Sequence, residues 1–215
     1  MNNQTQYDYD QVSQRTSVTD PLLNTTTTEY ASLGRVKKII NPDGTFTEFG
    51  YDLGGRRTSV TDPEGGVTLY GYDAYGRLQT VTVVTGPPNE VTTYGYDAMS
   101  NLTSITDARG KVTIFDYDAH GRVEAVTYPK GVGEADRIET FTYDAAGRLA
   151  VQTKKDGTSI AYVYDAAGQL IQKNAEDPGG APLETVTLGY DDAGRMTLSK
   201  AGVPHEAVNP HSLLK

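Results

Sequence analysis

Aspartate, tyrosine and histidine are the residues of this sequence whose types could do chemistry, and their spacing decides what kind. The histidines are His120, His205 and His211. A metal site needs three or four convergent ligands, and nothing in the spacing supplies the others. Aspartates recur singly, without the dense clustering of an oxygen-ligand calcium loop. There is no cysteine, hence no thiolate nucleophile and no disulfide. No Gly-x-Ser-x-Gly elbow, P-loop or dinucleotide fingerprint occurs. The expectation is therefore no catalytic set, no metal and no cofactor. The tyrosines could form a sugar-stacking platform. A binding site is local, however, whereas these tyrosines return in one phase along the whole chain, which favours a structural ladder.

That phase defines an internal repeat. Aligned on the second tyrosine of Tyr-x-Tyr-Asp, the anchors are Tyr9, Tyr30, Tyr51, Tyr72, Tyr96, Tyr117, Tyr143, Tyr164 and Tyr190. The intervals are 21, 21, 21, 24, 21, 26, 21 and 26 residues. Nine copies with a base period of 21 mark a repeat architecture. The extra residues of the long intervals always fall in the segment before the next copy: Gly86-Pro87-Pro88-Asn89, Lys130-Gly131-Val132-Gly133-Glu134 and Asp177-Pro178-Gly179-Gly180-Ala181-Pro182. Insertions confined to one phase mark loops on one side of the array.

Each phase has a physical reading. Two residues before the anchor stands an aromatic in seven of the nine copies, as in Phe49, Tyr70 and Phe141. Residues two apart on a strand share a face, so each copy lays an aromatic pair on one face of its first strand. Asp follows the anchor (Asp52, Asp73, Asp97, Asp118, Asp144, Asp165, Asp191), and Gly comes three residues later (Gly76, Gly121, Gly147, Gly168, Gly194). Arg77 is typical of the next position. Asp can accept backbone N–H groups and Gly takes a positive φ cheaply, so this is a tight hairpin loop. An alternating strand then runs to a second turn such as Asn41-Pro42-Asp43-Gly44 or Asp62-Pro63-Glu64-Gly65. These anchor residues are expected to be structural.

The elements that follow are strand, turn, strand, turn: an all-β array of tandem hairpins with roughly 18 strands. Accumulated twist over so many strands should wind it into a curved or spiralling antiparallel sheet. Residues 1–200 form the array, and 201–215 read as an irregular tail. Apolar residues make up 37%, too few for a thick core. A net charge of −9 disfavours nucleic acid. No apolar run is long enough to insert in a membrane, and Met1-Asn2-Asn3-Gln4-Thr5-Gln6 does not read as a signal peptide.

The unit Tyr70-Gly71-Tyr72-Asp73-Ala74-Tyr75-Gly76-Arg77-Leu78, and equally Phe141-Thr142-Tyr143-Asp144-Ala145-Ala146-Gly147-Arg148-Leu149, resembles the signature of the RHS/YD-repeat family. The resemblance covers about residues 5–200. The family includes polymorphic toxins, shell components of insecticidal toxin complexes, wall-associated proteins and teneurins. It implies a β-strip wound into part of a hollow shell, which in toxin members encloses a C-terminal toxic domain. It implies an extracellular or cell-surface setting for the larger proteins. The family's core segment with an Asp-Pro-x-Gly-Leu self-cleavage motif is not found. Asp62-Pro63-Glu64-Gly65 and Asp177-Pro178-Gly179-Gly180 lack the leucine and sit in the turn phase. The chain thus reads as a fragment, a truncated open reading frame or one piece of a split shell. Its expected partners are further repeats or another chain at open sheet edges, with an enclosed toxin domain or a glycan beyond these. The alternative is a carbohydrate- or protein-binding adhesion module using the aromatic rows.

Overall fold

A computed structural model describes residues 4–131, 134 and 137–202. Strand accounts for 56% of the chain and helix for 2%, so the all-β expectation holds. The described residues contain eighteen strands. They divide into two compact units, one of residues 1–96 and 104–111, the other of 97–103 and 112–215.

The first unit holds β1 (Gln6–Tyr9), β2 (Arg15–Thr19), β3 (Thr25–Tyr30), β4 (Val36–Ile40), β5 (Phe46–Tyr51), β6 (Arg57–Thr61), β7 (Val67–Tyr72), β8 (Leu78–Val84) and β9 (Glu90–Tyr96). Each pairs antiparallel with its successor in the chain. Strand β10 (Leu102–Thr106) has residues in both units. The second unit continues with β11 (Val112–Tyr117), β12 (Val123–Tyr128), β13 (Arg137–Tyr143), β14 (Leu149–Thr153), β15 (Ser159–Tyr164), β16 (Leu170–Glu176), β17 (Pro182–Tyr190) and β18 (Met196–Gly202), again paired in order. Short turns between alternating strands leave no other topology available at low cost in loop entropy.

The two faces differ. Along β11, Thr113, Phe115 and Tyr117 are half-buried while Val112, Ile114 and Asp116 are exposed. Strand β13 repeats this, with Glu139, Phe141 and Tyr143 covered and Ile138, Thr140 and Thr142 open. The face that carries the aromatic pair of each copy is the covered one. Ile114 and Ile138 on the other face remain 43% and 41% exposed. Val126 is the only buried apolar side chain among the described residues. It stands opposite Phe115 on one side and Glu139 on the other. Cohesion therefore comes from such cross-strand pairs, each contributing about 0.2–1 kcal/mol, together with the backbone ladder.

One feature was not legible in the period-two pattern. In β5–β6, Tyr51 opposes Arg57 but Gly50 opposes Ser59, so Thr58 is an extra residue. The same register shift occurs beside the anchor in the other seven described hairpins of this phase. A bulge bends its strand and increases local twist. In the β7–β8 hairpin the bulge sits beside Gly71, which opposes Thr80; a Cβ there would collide with the Thr80 side-chain Oγ1.

Candidate functional site

The recurring unit worth examining as a site is the corner built around each Tyr-Asp pair. Its loop closes with two backbone bonds. In the third copy Asp52 N–H donates to Arg56 C=O at 2.9 Å, and Gly55 N–H donates to Asp52 C=O at 3.0 Å. Gly55 has φ +86°, the left-handed value the sequence reading assigned to this position. Asp73 shows the carboxylate's work in full. Its Oδ1 accepts the N–H groups of Tyr75 and Arg77, both at 2.9 Å, and its Oδ2 accepts Arg77 Nε at 2.7 Å. The two oxygens divide the labour: one organises the loop, the other holds the arginine.

Those contacts depress the carboxylates. The Arg122 side chain, helped by the Arg122 backbone N–H, holds Asp118 down at about 2. The Arg56 side chain lowers Asp52 in the same way. Hydrogen bonds to the charged form stabilise it. Tyr117 moves in the opposite sense, pushed up by desolvation and then by the charge of Asp97.

The arginine, once held, reaches the next copy. Arg35, Arg56, Arg77, Arg122 and Arg148 lie over the rings of Tyr51, Tyr72, Tyr96, Tyr143 and Tyr164, at 4.9, 4.9, 4.6, 4.2 and 4.5 Å from the ring centroids. Each of these tyrosines donates its hydroxyl to the carbonyl of the residue just after that arginine: Tyr51 to Val36, Tyr72 to Arg57, Tyr96 to Leu78, Tyr143 to Val123 and Tyr164 to Leu149, at 2.7–2.9 Å. Tyr30, Tyr117 and Tyr190 make the same bond to Arg15, Leu102 and Leu170. Their preceding copies carry Gln14, Asn101 and Gln169 in place of arginine. The hydroxyl bond spans the 21-residue and the longer intervals alike, with separations of 15, 18 or 20 residues.

The corner glycine has a second reason to lack a side chain. A Cβ at Gly76 would stand 3.0 Å from Arg56 Nη1, and one at Gly147 would stand 3.5 Å from Arg122 Nη1. The arginine of one copy thus passes beside the glycine of the next. All predicted anchor residues take their places in such corners, and the structure does not gather them into a single pocket. Among the described residues no group of three or more His, Cys, Asp or Glu is arranged to hold a metal ion. His120 sits at an exposed loop tip, with only its backbone N–H bound to Asp118. His205 and His211 lie outside the described residues.

Comparison with known families decides the affiliation. A family model described as teneurin YD-shell matches residues 1–135, well over half of the chain. The chain belongs to the teneurin YD-shell family. A second description, RHS repeat, matches residues 143–182. Among solved structures, this YD-shell chain is similar to that of TcdB2-TccC3-Cdc42, with 18% identity and a TM-score of 0.64 over 93% of this chain and 12% of the other. It is also similar to a Photorhabdus luminescens Tc holotoxin pore bearing a substitution in TccC3, with 17% identity, a TM-score of 0.64 and coverage of 93% and 12%. Identity this low speaks to the fold alone. The YD-shell chain spans about an eighth of the length of these neighbours, 12% in both. No curated protein sequence matches it.

Sequence reasoning identified the corner residues but missed how they connect. It assigned Arg no partner, and it placed the tyrosines in a ladder without seeing that each hydroxyl binds the preceding copy. No local signal carries this. The arginine and its tyrosine lie 16 to 21 positions apart, depending on the insertion between them, as with Arg56–Tyr72 and Arg122–Tyr143.

Proposed function

We propose that the chain is a structural scaffold: a stretch of YD-shell wall that works by linking hairpin to hairpin and carries out no reaction. The observation behind this reading is the repeated coupling of corners to the next copy, in which arginine, tyrosine hydroxyl and backbone carbonyl act together at five joints of the array. A catalytic or binding centre would concentrate its special residues; here they are spent evenly. By the family resemblance, an extracellular or cell-surface setting is the expectation for the larger family, and in toxin members such a wall encloses a C-terminal toxic domain. We take the array to run through Gly202, where β18 ends, two residues past the boundary expected at 200. The partner surface we favour is β18. Among the described residues it pairs with β17 alone, and all of its residues are exposed. An open edge recruits another strand, from further repeats or from a second chain.

Static light scattering over a concentration series tests this. The isolated chain should associate, and a proline at Thr197 or Ser199, whichever N–H faces outward, should reduce the association. A monomer at every concentration, unchanged by either proline, would remove the open-edge reading.

The adhesion alternative needs free aromatic faces. Five of the anchor rings are covered in the manner of Tyr96, where Arg77 lies over the ring and the hydroxyl is bound to Leu78. Glycan-array binding that is lost in Tyr94→Ala and Tyr96→Ala, with the fold intact, would reverse that preference.

A further inference from the structure

Six copies carry an arginine at the corner, and five of them pair it with their own aspartate. The Nε–Oδ2 distances are 2.7 Å for Arg56–Asp52, Arg77–Asp73, Arg122–Asp118 and Arg148–Asp144, and 2.8 Å for Arg195–Asp191. The sixth is Arg35, and the residue four positions before it is Ala31. Arg35 Nε is buried and has no hydrogen-bond partner, the only such side-chain atom among the described residues.

The guanidinium is nevertheless held where its counterparts are held. Arg35 lies 4.9 Å from the centroid of the Tyr51 ring, the same distance as Arg56 over Tyr72. The Tyr51 hydroxyl still bonds Val36 C=O at 2.7 Å. The joint to the next copy is intact; only the acid is gone. The loop above it is different too. Ser32–Gly34 forms a 3-10 turn in which Leu33, at φ +65°, and Gly34, at φ +74°, are both left-handed. Ser32, Leu33 and Gly34 are exposed, so the loop that must give way to admit a small solute to the buried Nε lies at the surface.

A fixed donor with its acceptor removed from the chain is a site for that acceptor supplied from outside. A buried, unpaired guanidinium N–H costs free energy, and the group that relieves the cost in the five sister copies is a carboxylate in charge-assisted contact. We propose that the corner of the second copy binds an external carboxylate at Arg35 Nε, beside Ala31. That carboxylate is a free small acid or the acidic side chain of a partner.

The test is calorimetric melting of the full chain, with sodium formate as probe and sodium chloride at the same ionic strength as control. Formate at tenfold excess over its dissociation constant should raise Tm by roughly 3–6 °C relative to chloride, from mass action in a chain of this size. Ala31→Asp restores the internal acid and should abolish the formate response. Arg35→Gln removes the donor and should abolish it as well. Formate with no effect beyond chloride overturns the proposal and leaves Arg35 merely hydrated. A response as large in Ala31→Asp as in the parent overturns it too. An acetylated, amidated glutamate distinguishes the two sources. If it acts as formate does, a partner's side chain can reach the site; if formate alone acts, the ligand is a free small acid.

Discussion

Each repeat contains two turns with nearly the same backbone and opposite tolerances. The Tyr-Asp corner of the fourth copy and the inter-repeat turn just before that copy close identically: Gly76 N–H to Asp73 C=O, and Gly65 N–H to Asp62 C=O, both at 3.0 Å, with both glycines at φ +84°. Their Asp side chains cap the loops alike, Asp73 on Arg77 N–H and Asp62 on Gly66 N–H. The difference lies beyond the loop. The corner carries an arginine, receives the next tyrosine and is followed by a bulge. The inter-repeat hairpin β6–β7 has none of these and no register shift. All three natural insertions fall on the inter-repeat side. Loop geometry alone does not make a position constrained; what the loop is attached to does.

Lengthening each loop is the most severe way to break this comparison. A Gly-Ser-Gly insertion after Ala108, in an inter-repeat turn, roughly doubles that loop and should cost only about 0.6 kcal/mol of closure entropy. The same insertion after Ala145 separates Asp144 from Arg148 and displaces the socket of Tyr164. It should lower the melting temperature several times more. Equal losses in the two variants would show that the corners are not specially coupled.

A gentler comparison substitutes the two matched glycines. Gly65→Ala and Gly76→Ala both put a side chain at a left-handed φ, at a cost of about 1–2 kcal/mol. A Cβ at Gly65 meets nothing within 4 Å, whereas one at Gly76 meets Arg56 Nη1 at 3.0 Å. Chemical denaturation should find Gly76→Ala the more destabilising, and Arg56→Ala in the background should erase the excess. An excess that survives without Arg56 would break the link drawn between neighbouring copies.

Smaller still are the single contacts of one joint. Tyr164→Phe deletes the bond to Leu149 and should cost about 0.5–1.5 kcal/mol. Arg148→Gln copies the natural Gln14 and Gln169 and should lose about 0.5–1 kcal/mol of ring contact. In a double-mutant cycle the two losses should be less than additive, because both groups hold the same tyrosine. Strict additivity would mean that the arginine and the hydroxyl act separately.

The smallest effect is one of pH. Asp118 sits at about 2 in the folded chain, against about 3.9 for an unperturbed aspartate. Its folded value is depressed, so its contribution is complete above the unfolded value and is lost as pH falls from about 4 towards 2. Carbon-13 titration of the Asp118 carboxyl should show the low midpoint, and Arg122→Gln should move it upward. A midpoint near 4 in the parent chain would dissolve the pairing.

Much was readable from residue order, because each such feature depends on neighbours in sequence. Period-two alternation is a property of one strand, so the sharing of one face by Phe115 and Tyr117 could be named in advance, whereas which face is covered could not. A tight loop is four or five consecutive residues, so the left-handed glycines at Gly147 and Gly168 followed from Asp-x-x-Gly spacing. The bulges were hidden, since the residue pattern of β6 is the same whether Thr58 is paired or extra; only the opposing strand decides.

By itself, then, the sequence determined the class of the repeated elements, the number of copies and the place where insertions are tolerated, all of which rest on short-range backbone preference and side-chain periodicity. Tertiary structure alone decided what each recurring residue touches. Arg148 could have pointed to solvent. It is turned by Asp144 on its own hairpin and laid on Tyr164 of the next, with the Tyr164 hydroxyl returned to Leu149. That geometry exists only once two hairpins lie side by side, because the partners are brought within reach by strand pairing and not by their separation along the chain.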